Sequence, residues 1–85
     1  MEHCIDKEII DEIESYLSKV QEHQVAKAAR VAREHNHHLT EEDLLNPDNF
    51  PYLMSDPQYT YEDGIAAGIL AAKIATRAFL IEKLK

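Results

Sequence analysis

The sequence predicts an all-α protein: an antiparallel helical hairpin of two long helices, joined by a short helix and a proline-containing loop, that dimerises into a four-helix-bundle-like assembly. Three observations carry this. From Asp6 to His37 no glycine or proline interrupts the chain, and apolar residues recur there at helical spacing. All three prolines, Pro47, Pro51 and Pro57, and both glycines, Gly64 and Gly68, fall in one later stretch. Finally, Gly64, Gly68, Ala71, Ala75 and Ala78 form a row of small residues at intervals of four, three, four and three, which places them on one line of a helix.

The first helix is expected over about residues 6–37. Its apolar stripe is Ile9, Ile10, Ile13, Leu17, Val20, Ala28, Val31 and His35, and the opposite face holds Glu8, Asp11, Glu12, Ser15, Ser18, Lys19, Glu22 and Arg33. Gln24 falls on the stripe and reads as a buried hydrogen-bonding residue that sets helix register; His23 beside it reads as a surface residue. Thr40-Glu41-Glu42-Asp43 resembles a capping box, with Leu44 and Leu45 as anchors, so a short helix is expected over about 40–45. Residues 46–59 read as an irregular loop with a turn at Asp56-Pro57. Thr60 is the expected cap of the last helix, over about 60–84, with Glu62 and Asp63 in its first turn where the helix dipole favours acid.

Size and composition narrow the function classes. A chain of 85 residues, 45% hydrophobic and 29% charged, makes one globular domain spanning 1–85 with a small core, marginal unless it is stapled, metallated or oligomeric. One cysteine, Cys4, excludes an intramolecular disulfide and a cysteine-rich zinc site. A formal charge of −7 opposes phosphate-backbone binding, so no nucleic-acid partner is expected, and a helix-turn-helix reading of the short helix and its turn is disfavoured. The first residues carry acid where a secretory signal carries base. The longest apolar run, Gly64 to Ala72, is nine residues, short of the roughly 18 of a membrane span. A soluble cytoplasmic protein with no membrane partner is the expectation.

On the last helix, the small-residue row is flanked by Ile65, Ala72 and Phe79 on one edge and by Ala67, Leu70, Ile74 and Ile81 on the other. The polar residues Glu62, Lys73, Thr76, Arg77 and Lys83 form a narrow sector expected to face water. Small side chains let a neighbouring backbone approach closely. The row is read either as packing within the chain against Val25 to Ala32, or as meeting a second copy across a two-fold axis. Under both readings two helices leave apolar surface uncovered, so a homodimer or higher oligomer is expected. The inference requires Gly68, Ala71 and Ala75 to be covered.

Candidate chemistry is sparse. Glu34 and His37 have the Glu-x-x-His spacing of carboxylate-bridged di-metal bundles, and a metal-binding alternative uses Glu34, His35, His37 and His38 around a divalent transition metal. The plainer reading is that these imidazoles end the first helix, with His35 or His38 pairing to Glu62 or Asp63. Protonating all five histidines would take the formal charge from −7 to −2, one unit for each imidazole, and so alter assembly in acid. Phe50, Leu53 and Met54 read as a plug for the open end of the bundle. Phe50 and Tyr52, in a cluster with Tyr59 and Tyr61, read as a contact surface for a second, basic protein. Cys4 beside His3 lacks an orienting group, and no glycine-rich loop cradles a phosphate. No catalytic residue is assigned and no enzyme is expected. The leading class is a homo-oligomeric helical protein-interaction or regulatory module.

Overall fold

The computed structural model describes residues 6–84, which form helices joined by short turns, with no strand among them. Two long helices, α1 (Lys7–His35) and α3 (Pro57–Leu84), flank two 3-10 turns, Asp43–Leu45 and Pro47–Asn49, and the four-residue α2 (Pro51–Met54). His3 and Cys4 lie outside the described residues.

Asp6 starts α1: its carboxylate accepts a hydrogen bond from the Ile9 N–H at 2.9 Å, satisfying one of the donors that a helix N-terminus leaves free. The helix runs unbroken through Gln21 to Gln24 and stops at His35, because Asn36 is extended and only its N–H still bonds back, to the Ala32 carbonyl. The capping pair at residues 40–43 forms as expected. The Thr40 N–H donates to Asp43 Oδ2 at 3.0 Å and the Asp43 N–H donates to Thr40 Oγ1 at 3.1 Å. It opens only a single 3-10 turn, not an α-helix, since Pro47 follows at once.

The expected irregular loop over 46–59 is corrected by the prolines themselves. Pro47, Pro51 and Pro57 each occupy the start of a helical turn, where a fixed φ and a missing N–H cost nothing. The last helix therefore begins at Pro57 rather than at Thr60. Asp56 takes the capping role, its Oδ1 accepting the Gln58 N–H at 3.1 Å and its carbonyl accepting the Thr60 N–H at 3.1 Å. The Thr60 hydroxyl turns back and donates to the Asp56 and Pro57 carbonyls.

The long helices lie side by side. Their partners ascend on α1 as they descend on α3: Glu14 with Arg77, Gln24 and Lys27 with Glu62, His35 with Asp56. The row of α3 turned to α1 is Tyr59, Glu62, Ala66, Ile69, Lys73, Thr76 and Leu80, whose alternating three- and four-residue steps keep it on one line. Burial is concentrated at one end. Ala28, Val31 and Ala32 of α1 pack there with Leu39, Leu53 and Tyr59, and with Leu44 and Phe50 beside them. Outside this cluster, Ile10, Ala29, Ala66 and Leu80 are the buried apolar residues among those described. The molecule is a rod of 55 × 18 × 17 Å with a radius of gyration of 16.6 Å, against about 12 Å for a compact domain of this length.

Candidate interaction surface

The polar sector of α3 is divided: Arg77 and Lys83 are exposed as expected, whereas Glu62, Lys73 and Thr76 turn inward. Glu62 is 4% exposed, with its Oε2 3.2 Å from Lys27 Nζ, and Lys73 and Thr76 are half-buried in the row against α1. Arg77 donates from Nε to Glu14 Oε2 at 2.7 Å. Polar groups on α1 receive two of these residues: Lys27 pairs with Glu62 and Glu14 with Arg77, and Gln24, itself buried, donates from Nε2 to the Glu62 backbone carbonyl at 3.0 Å. That bond, between positions 38 apart in sequence, fixes the register of the two helices, the role its place on the stripe suggested.

Several large apolar residues of α3 face outward. Ile74 is 61% exposed, Phe79 58% and Leu70 40%. All five small residues, Gly64, Gly68, Ala71, Ala75 and Ala78, are exposed in the single chain, and a Cβ added at either glycine would meet nothing within 4 Å. Packing of this row against Val25 to Ala32 within one chain is therefore overturned: at about 100° per residue the row stands on the side of α3 away from α1. The nine-residue limit on apolar length falls with it. Lys73, which ends that run in sequence, turns toward α1, and α3 is by length and composition long and apolar enough to cross a membrane.

The histidines take simpler places. His35 Nε2 lies 2.7 Å from Asp56 Oδ2, and its ring is 6.0 Å from that of Tyr52. The expected partners Glu62 and Asp63 lie further along α3, because the helix starts earlier and puts Asp56 at its cap. The rings of His37 and His38 sit 4.3 Å apart. Since α1 ends at His35, Glu34 and His37 do not share a helical turn, and among the described residues no three His, Cys, Asp or Glu side chains gather as a metal-ligand set.

The hydrogen bond with His35 holds the Asp56 carboxyl below its ordinary value of 3.8, helped by the Gln58 N–H and opposed by burial. A carboxyl lowered by folding stabilises above its ordinary value, and the contribution fades as pH falls through the lower folded value. Asp56→Asn keeps the cap and removes the charge, so its urea midpoint is expected below that of the parent chain at pH 7, with the gap closing below pH 3.8. An unchanged gap at pH 2 would remove this role. Burial, with the charge of Asp63, pushes the Tyr59 phenol above 10.0.

The aromatic segment is divided between core and surface. Leu53 is fully buried and Phe50 half-buried, edge-on to Tyr52 at 6.0 Å between ring centres. Met54 is 45% exposed and does not plug the end, because the four-residue α2 turns Leu53 inward and its neighbour out. A groove of about 590 Å³ lies between α1 and the first 3-10 turn, lined by Val25, Ala26, Ala29, Leu44 and Leu45, with Arg30 beside them. In the groove Leu44 and Leu45 face Val25, Ala26 and Ala29 of α1, a pairing that only the fold brings together. No protein-family model, curated protein or solved structure matches this chain.

Proposed function

We propose that this protein is a self-associating helical module: its α1–α3 hairpin is one half of a four-helix-bundle-like homodimer, and its activity is association rather than catalysis. The observation that carries the reading is the orientation of α3, which turns Glu62, Lys73 and Thr76 to its own partner helix and leaves Tyr61, Phe79 and the small residues between them to solvent. Fully burying one large apolar side chain is worth about 1.5–3 kcal/mol, so Tyr61 and Phe79, each more than half exposed, have roughly 1 kcal/mol apiece still to gain. The small residues between them admit a close neighbour.

Sedimentation equilibrium of the full chain over roughly 1–100 μM, the range in which a modest protein dimer forms, is expected to give twice the 9.8 kDa chain mass. A helical species that stays at 9.8 kDa throughout would overturn the proposal.

A further inference from the structure

The contact between α1 and α3 uses one row on each helix, and a second row beside it is left open on both. On α1 it is Ile9, Ile13, Tyr16 and Val20, at steps of four, three and four; on α3 it is Tyr61, Ile65, Gly68, Ala72, Ala75 and Phe79, at steps of four, three, four, three and four. Neither of these stretches contains a charge; Lys83 Nζ lies 5.0 Å from the centre of the Phe79 ring at the end of the α3 row, and His23 and Lys27 continue the α1 row beyond Val20. Tyr16 and Tyr61 are each 68% exposed, Phe79 58% and Ile9 42%, while Ile13, Val20 and Ile65 are half-buried.

Both rows lie on one side of the helix pair. The opposite side is fixed by the Glu14–Arg77 bond and by a small cavity lined by Val25, Ala29, Asp63 and Ala66. Residues displaced the other way around each helix, at about 100° per position, share the remaining side, and these are the two apolar rows. The side holding Glu14 is unlike it, since Asp11, Ser18 and Glu22 accompany Glu14 there.

From this the geometry points to a docking face: a second copy of the chain stacks on the face formed by Ile9, Tyr16, Ile65, Ala72 and Phe79, so that four helices enclose one core. This rests on the self-association proposed above and names its surface. The area fits the occupant. One chain exposes 6360 Å², whereas a compact monomer of its mass exposes about 5,200 Å². The excess of about 1,200 Å² exceeds the about 800 Å² that each partner gives to a standard interface. The shape fits as well, because both helices contribute along a 55 Å rod and an identical rod matches it in length under two-fold symmetry. A bilayer is the poorer occupant: Glu14–Arg77 and Lys27–Glu62 bind α1 to α3, so inserting α3 would carry Glu8, Asp11, Glu12 and Glu22 toward the hydrocarbon, where charge is costly.

The test compares Tyr16→Lys and Phe79→Lys, on this face, with Ile74→Lys, exposed on the other side, by sedimentation velocity of the full chain with circular dichroism to confirm helicity. The parent chain and Ile74→Lys are expected to dimerise, and the two face variants to lose affinity at least a hundredfold while staying helical. Amide exchange of the parent chain gives a second readout that needs no variant: dimerisation is expected to raise protection at residues 9–20 and 61–79. Dissociation by Ile74→Lys with dimers retained by Tyr16→Lys, or added protection elsewhere, overturns this face and leaves self-association standing. A parent chain that is monomeric throughout overturns both. Flotation of such a monomer with neutral phosphatidylcholine vesicles identifies the bilayer as the occupant instead.

Discussion

Leu53→Ala is expected to lower the melting temperature by more than about 10 °C and to leave a large unfolded fraction at 37 °C. Leu53 is fully buried and belongs to the cluster of Ala28, Val31, Ala32, Leu39 and Tyr59 that holds both long helices to the connecting segment. Truncating a buried leucine costs about 2–5 kcal/mol, the lost transfer energy plus that of the cavity, and each kcal/mol moves the midpoint by about 4–8 °C in a domain this small. No second cluster of this kind exists among the described residues to absorb the loss. Met54→Ala, one position along at a side chain 45% exposed, is expected to stay within about 0.5 kcal/mol of the parent. Thermal melts followed by circular dichroism at low protein concentration separate the two, and coincident melts would contradict this account of the core.

Gly68→Leu is expected to act in opposite directions on the chain and on the assembly. Within one chain the position is open, with nothing within 4 Å of an added Cβ, and replacing glycine inside a helix with leucine gains roughly 0.5–1 kcal/mol of propensity. Between chains the same side chain intrudes on both the small-residue row and the open row of α3, and association is expected to weaken more than tenfold. Melting of dilute protein reads the first effect, and the dimer dissociation constant from sedimentation reads the second. A variant that keeps the parent's affinity would show that Gly68 does not lie against a partner, and one that loses stability when dilute would show that the position is not open within the chain.

Much of α1 was legible in the sequence. The stripe, the one-sided charge and the odd glutamine within it all follow from helical periodicity, and Gln24 makes the bond its position implied. The prolines were legible as punctuation but not as to sense: the same residue that stops a helix also starts one, and Asp56, not Thr60, proved to be the side chain placed to cap. The orientation of α3 was not legible. Counting polar and apolar residues around it puts Glu62 and Lys73 toward water, but the Lys27 and Gln24 that receive Glu62 are some 35 positions away in sequence, and only the register between helices brings them together. Likewise Ile9, Ile13, Tyr16 and Val20 were visible as apolar, whereas their standing beside the α3 row depends on which side of the pair each helix turns.

The confinement of the buried cluster to one end bears on the order of folding. Its members are joined by short loops, so their contacts close at small entropic cost, and the two helices then zip outward from the bend toward Lys7 and Leu84. Toward those distal tips the buried apolar residues among those described are Ile10 and Leu80, with the Glu14–Arg77 bond beside them. In dilute solution the tips are where a protease is expected to make its first cut, and pairing with another rod is expected to seal them.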